Sequence, residues 1–159
     1  MIVEKASGVA KYIIFGLIIV FIIIMLVFTG GSSRPFYQVA EPLANRLALS
    51  GLEAEDDMGF RQAFGYQMSD FSGVLFYTAP FRFSAEEVLL IQVHSSSQVN
   101  EVRRSIETRL EQRRGDFGDY APEQTFLLDN ATIIIRGTFI FVAVSDDAGD
   151  YARLFLDSL

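Results

Sequence analysis

The strongest hydrophobic pattern in the sequence is an uncharged apolar run from Tyr12 to Phe28. A helix rises 1.5 Å per residue, so this run spans about 25 Å, close to the roughly 30 Å of a bilayer's hydrocarbon core. Signal peptides usually have an apolar core of roughly 7–15 residues, and Thr29-Gly30-Gly31 is a poor small-x-small cleavage site. The pattern therefore predicts a single transmembrane helix over 12–29, with a cleaved signal peptide as the alternative.

The residues around this run predict the organisation of the chain. Residues 1–11 form a short N-terminal tail, 30–35 a linker containing Gly and Ser, and 36–159 a folded domain. Lys5 and Lys11 lie in the tail, so the positive-inside rule favours a cytoplasmic N-terminus and an extracytoplasmic C-terminal domain. The lipid bilayer is then the first predicted partner, through the N-terminal helix.

Helical and extended periodicities alternate through the folded domain. Apolar residues spaced three or four apart predict helices at 35–49, 98–114, 123–130 and 146–159. Runs of β-branched and aromatic residues predict strands at 71–78, 86–94, 131–136 and 139–145. Gly137-Thr138 would join the last two strands as a hairpin. The sequence therefore predicts an α+β fold in which helices pack on one face of a mainly antiparallel four-stranded sheet.

The helix predicted over 98–114 is the most regular and also contains the candidate binding residues. Its apolar side chains fall within about 80° of one face and comprise Val99, Val102, Ile106 and Leu110. Arg113 continues this stripe one turn beyond Leu110, and Arg109 flanks it. Arginine forms paired hydrogen bonds with carboxylate and phosphate groups, so both side chains are candidates for holding an anion.

Two interpretations of these arginines stay open. Asp116, Asp119 and Tyr120 follow in the next loop. In the structural interpretation, a partly buried arginine holds this loop in place. In the functional interpretation, Arg109, Arg113 and Tyr120 form a patch that binds an anionic or carbohydrate ligand.

The composition of the chain excludes several kinds of functional site and ligand. The 159 residues include no cysteine, which excludes disulfides, thiol catalysis, Fe–S clusters, cysteine-based zinc sites and a lipid-modified N-terminal cysteine. The formal net charge of −7 argues against nucleic-acid binding, which needs a basic surface. The sequence contains neither a P-loop nor a G-x-G-x-x-G motif, so we expect no nucleotide and no other cofactor.

Catalytic and metal-binding patterns are equally weak. His94 is the only histidine and precedes Ser95-Ser96-Ser97, but the G-x-S-x-G motif of a nucleophile elbow is absent. The acidic residues within 53–57 and those at Asp146, Asp147 and Asp150 do not match a calcium-binding loop. We therefore expect no catalytic residue and no metal site.

Several segments of the second half occur in an order typical of one family. They are Glu86-Glu87, Ser105–Gln112, Asp119–Glu123, the hairpin around Gly137, and Val144–Asp147. Together they resemble the bacterial family of the domain of unknown function 4358, over roughly Phe60 to Leu159 and most specifically from Arg109 to Asp147.

This resemblance implies a small extracytoplasmic protein of a Gram-positive bacterium, tethered by a lipid-modified cysteine or a membrane helix. The chain departs from the lipoprotein version because it has no cysteine. The resemblance implies no activity for any residue.

Together, these observations predict a membrane-anchored, single-pass protein of the cell envelope without catalytic activity. We expect an interaction or accessory module at the cell surface, with envelope proteins as partners and no nucleic acid. The alternative is a sensor-type domain for a small anion or a cell-wall fragment, and a second alternative is an unrecognised hydrolase. A ligand-binding domain should have a concave pocket at Arg109, Arg113 and Tyr120, whereas an interaction module should have an exposed apolar or aromatic patch.

Overall fold

The computed structural model describes residues 11–23 and 34–159. The chain divides into two units, Met1–Gly31 and Ser32–Leu159. Helix α1, residues 11–23, belongs to the first unit, and every other described element belongs to the second. Residues 1–10 of the predicted tail and 30–33 of the predicted linker lie outside the described residues.

The prediction of a single transmembrane helix over 12–29 is overturned. Helix α1 accounts for residues 11–23, and residues 24–29 lie outside the described part of the chain. No helix within 11–23 and 34–159 is both long enough and apolar enough to cross a membrane.

The second unit is an α+β domain. Its helices are α2 (Phe36–Leu47), α3 (Asp57–Phe64), α4 (Ser96–Phe117), α5 (Pro122–Asp129) and α6 (Ala148–Asp157). Its strands are β1 (Glu53–Ala54), β2 (Gly73–Thr78), β3 (Glu87–Gln92), β4 (Thr132–Arg136) and β5 (Phe139–Val144). Short 3₁₀ segments occupy Met68–Asp70 and Gly118–Tyr120.

The sheet has five antiparallel strands in the order β1-β2-β3-β5-β4, so the predicted four-stranded sheet is wrong. The additional strand is β1, in which Glu53 and Ala54 pair with Thr78 and Tyr77. Two residues are too few to show the alternation that identifies a strand in a sequence. Their pairing with β2 is a tertiary contact, which local patterns do not contain.

Helices cover both faces of the sheet, not one face as predicted. Leu89 and Ile91 of β3 face a core shared with α3, α4 and α5. Val88 and Leu90 face the opposite core, which α2 and α6 complete. Successive side chains of a strand point to opposite faces, so an uninterrupted apolar strand needs a cover on each side. The second layer therefore follows from the composition of β3 and β5.

Helix α4 sets the position of the candidate site. Val102, Ile106 and Leu110 are buried, which confirms the predicted apolar face. The helix continues to Phe117, beyond the predicted end at Arg114, and stops at Gly118. Gly118 has a φ of 45°, a conformation that favours glycine. The extra turn places Phe117 beside Arg113.

Candidate functional site

Arg109 forms an ion pair with Glu87 of β3. Its Nη2 lies 2.7 Å from Glu87 Oε2, and its Nε lies 3.1 Å from both carboxylate oxygens. The side chains are 17% and 4% exposed, respectively. The guanidinium also stacks on Phe64 and Phe76, at 5.1 and 5.6 Å from their ring centres. Arg109 is therefore neutralised and held in place by groups of its own domain.

Arg113 lies one helical turn further along α4, and fewer of its hydrogen-bond donors have partners. Its Nη2 donates to the backbone carbonyl of Ser84 at 2.8 Å, and its guanidinium lies 5.0 Å from the centre of the Phe117 ring. Its Nε is buried without a hydrogen-bond partner among the described residues. A guanidinium has five N–H groups, so Arg113 retains donors for a further acceptor.

Both arginines line a cavity of about 560 Å³. Its lining residues come from β1, α3 and β2, from the loop between β2 and β3, and from α4. The loop includes Phe81 and Phe83, whose side chains are 72% and 81% exposed. Phe81 lines the cavity directly. This volume is within the range of roughly 300–1,000 Å³ typical of sites for small molecules.

The cavity contains charges of both signs. The carboxylates are Glu53, Glu55 and Glu86, and Arg82 accompanies the two arginines of α4. Glu55 accepts a hydrogen bond from Thr78 Oγ1, and Glu86 accepts one from Ser145 Oγ at 3.0 Å. Of the arginines in this cavity, Arg109 is the one that has an ion pair with a described residue.

Tyr120 lies outside this cavity, although the sequence placed it with the arginines. Its side chain is 70% exposed, and its hydroxyl donates to the backbone carbonyl of Asp116 at 2.6 Å. The partners of Arg109 and Arg113 instead lie on β3 and in the loop between β2 and β3. The structure therefore brings two of the three predicted residues together.

Residues 45–145, more than half of the chain, match the model of the family called domain of unknown function DUF4358. The chain belongs to this family. The resemblance noted in the sequence is thereby confirmed. No curated protein and no solved structure matches the chain. Every residue that lines the cavity lies within the matched residues 45–145. Helix α6 lies beyond the match.

Glu87 is the site residue of this DUF4358 domain that the sequence analysis missed. The signal was its place in β3, because Glu87, Leu89 and Ile91 alternate along the strand and share the face that meets α4. A carboxylate at such a position needs a positive partner, since an unpaired buried charge is very costly. The cavity residues that the sequence did not predict gave no comparable signal, because segments distant in the chain bring them together.

Three carboxylates of the acidic clusters considered for metal binding have structural contacts in the DUF4358 domain. Asp56 accepts a hydrogen bond from the Gly59 backbone N–H at the start of α3, and Asp57 pairs with Arg61. Asp147 lies 3.4 Å from Arg46. Within the part of the chain that the structure describes, no group of three or more Asp, Glu or His side chains is placed to hold a metal ion.

His94 lies in a second cavity, of about 410 Å³, with Tyr66 and Glu101. Its Nδ1 is 2.9 Å from Ser72 Oγ, so its hydroxyl partner is not in the adjacent run of serines. The Tyr66 hydroxyl donates to Glu101 Oε1 at 3.1 Å. Burial, this hydrogen bond and the Glu101 charge raise the pKa of Tyr66 above its usual value.

Proposed function

We propose that this domain is a non-catalytic binding module that holds an anionic group of a small ligand on Arg113. The supporting observation is the incomplete hydrogen bonding of Arg113, which has one protein acceptor and a buried Nε without any among the described residues. Buried donors in proteins are nearly always paired, and an unpaired one costs about 1–3 kcal/mol. A carboxylate in the cavity would supply an acceptor for guanidinium N–H groups that the described residues leave unpaired.

The surroundings of Arg113 support this role. Glu87 neutralises Arg109, so Arg109 can support the cavity wall but is not free for a ligand. Phe117 and Ser84 hold the Arg113 guanidinium in one orientation. A guanidinium positioned before binding loses less conformational entropy when a carboxylate arrives. The geometry therefore favours the ligand-binding alternative from the sequence over a purely structural role for Arg113.

The Arg113→Ala variant is expected to bind an anionic probe at least about tenfold more weakly. A hydrogen bond to a charged group contributes about 1.5–3 kcal/mol, and 1.4 kcal/mol corresponds to a factor of ten in affinity. The probe is N-acetylalanyl-alanine, which has one carboxylate and no ammonium group. Titration of the ¹⁵N-labelled full chain, followed by NMR, should also shift the Nε–H resonance of Arg113.

Arg104→Ala is the matched control, because Arg104 is an exposed arginine of the same helix outside the cavity. Its affinity for the probe should equal that of the unmodified chain. Equal affinities in both variants would contradict the proposal. Release of free alanine during the titration would show hydrolysis and would overturn the non-catalytic assignment.

A second candidate function is the interaction module predicted first from the sequence. The observation in its favour is the exposure of Phe81 and Phe83 in one short loop. Large exposed apolar side chains that lie together are typical of contact surfaces. This loop could hold an envelope protein or the apolar part of the ligand of Arg113.

The double variant Phe81→Ser/Phe83→Ser distinguishes these two roles of the loop. Since both rings are exposed, the free energy of unfolding should change by no more than about 0.5 kcal/mol. We expect the affinity for N-acetylalanyl-alanine to fall, because Phe81 lines the cavity. An unchanged affinity in the same NMR titration would instead assign the rings to a protein partner.

The location of the domain outside the cytoplasm stays a prediction. It rests on the sequence resemblance, because the positive-inside argument from Lys5 and Lys11 requires the membrane-spanning helix that is overturned above. The binding proposal does not depend on this location.

A further inference from the structure

The opposite charges in the cavity do not neutralise one another. Glu53 lies in β1 and Glu55 directly follows it. Arg113 lies on α4, and Arg82 lies in the loop between β2 and β3. Among the described residues, none of these four side chains forms an ion pair. Arg82 and Arg113, the basic part of the cavity, therefore do not neutralise Glu53 and Glu55, its acidic part.

A ligand with only a negative charge is poorly matched to this arrangement. It would gain the attraction of Arg113 but would also approach three carboxylates, Glu53, Glu55 and Glu86. Electrostatic complementarity requires that each charge of a ligand face the opposite sign, and like charges brought together oppose binding. A second, positive group on the ligand would turn the acidic part of the cavity from repulsive to attractive.

We propose that the ligand is zwitterionic, with a carboxylate on Arg113 and an ammonium group facing Glu53 and Glu55. The proposal rests on the function proposed above and defines its ligand class as free amino acids and short peptides with free termini. Glu55 is partly buried and fixed by Thr78 Oγ1, so it is the better ordered of the two acidic groups. Glu53 is exposed at the end of β1 and would add attraction at the cavity mouth.

Three related dipeptides test this inference on the full chain. Alanyl-alanine has both terminal charges, its N-acetyl derivative has only the carboxylate, and its C-terminal amide has only the ammonium group. Isothermal titration calorimetry should give an affinity for alanyl-alanine at least about tenfold above that of either derivative. Such a ratio is what one additional charged hydrogen bond provides.

The Glu53→Gln/Glu55→Gln variant should remove this preference. Glutamine retains the shape and the acceptor for Thr78 but removes both negative charges. We expect alanyl-alanine to bind at least about fivefold more weakly to this variant, and N-acetylalanyl-alanine to bind no more weakly than before. Glu41→Gln/Glu123→Gln, which changes two exposed glutamates outside the cavity, is the charge-matched control and should alter neither affinity.

The outcomes separate this inference from the proposed function. Equal binding of alanyl-alanine and its N-acetyl derivative, both dependent on Arg113, would overturn the zwitterionic ligand and leave the anion site standing. Binding of either peptide that is unaffected by Arg113→Ala would overturn both proposals. The same holds if neither peptide binds at millimolar concentration. A preference for alanyl-alanine that survives Glu53→Gln/Glu55→Gln would show that the acidic part of the cavity does not recognise the ammonium group.

Discussion

The Glu87→Ala variant is expected to lose about 3–5 kcal/mol of folding free energy, one of the two largest effects in the domain. Glu87 is buried and forms three hydrogen bonds with Arg109. Its removal would leave the Arg109 guanidinium without a counter-charge between Phe64 and Phe76. Removing one partner of a buried ion pair lowers the folding free energy strongly, because the remaining charge stays away from water without a counter-charge. Urea unfolding of the full chain, followed by circular dichroism, measures this loss.

Glu107→Ala is the matched control for this prediction. Glu107 pairs with Arg103 at 2.8 Å, but both side chains are about half exposed. Exposed pairs four residues apart in a helix contribute only about 0.3–0.5 kcal/mol. The double variant Glu87→Leu/Arg109→Met should recover most of the lost stability, because neither charge then remains in the interior. A loss below about 1 kcal/mol for Glu87→Ala would contradict the dependence of the fold on this pair.

The Phe155→Ala variant is expected to cost a similar 3–5 kcal/mol, for a different reason. Phe155 of α6 is fully buried and stacks on Phe141 of β5, with ring centres 5.2 Å apart and an interplanar angle of 10°. It also lies 6.4 Å from the ring of Phe139. Truncation removes this apolar contact and leaves a cavity between α6 and the sheet. The same unfolding experiment measures the effect.

The adjacent residue supplies the control. Leu156→Ala alters a mainly exposed position of α6, and its effect should stay below about 1 kcal/mol. Alanine and leucine have similar helix propensities, so the comparison isolates the buried contact. If both variants lose the same stability, then α6 does not pack through Phe155.

The role of Phe155 bears on the extent of the folding unit. The DUF4358 match ends at residue 145, before α6 begins. However, α6 and α2 form the second core with alternate residues of β3 and β5. A chain shortened to 45–145 would expose Val88, Leu90 and Phe141 to water. We therefore place the folding unit at residues 34–159, wider than the family match.

Local patterns in the sequence determined the elements with strong periodicity. The apolar stripe of α4 predicted that Val102, Ile106 and Leu110 would be buried. The two β-branched runs around Gly137 predicted the β4–β5 hairpin, in which Gly137 has a φ of 59°. These features depend on residues close together in the chain, so a short window of sequence contains the information. The placement of Arg109 and Arg113 on α4 follows from the same stripe.

Sheet topology and layering depended on tertiary structure. Strand β1 exists because Glu53 and Ala54 reach the edge of β2, and no local alternation indicates this. The second helical layer arises because β3 and β5 are apolar on both faces, so α2 and α6 must cover the side opposite α4. The predicted membrane-spanning helix was also wrong, because no helix in the described residues is long and apolar enough to span a membrane.

The sequence by itself predicted Arg109 and Arg113 as candidate binding residues on α4, but not what each of them contacts. The tertiary structure placed Glu87 against Arg109, left Arg113 with spare donors and put Tyr120 outside the cavity. It also placed Glu53 and Glu55 in the lining of the same cavity. The physical reason is that charge pairing depends on distances of a few ångströms between side chains. Those distances are set by the packing of β1, β3 and α4 against one another, which no local sequence pattern contains.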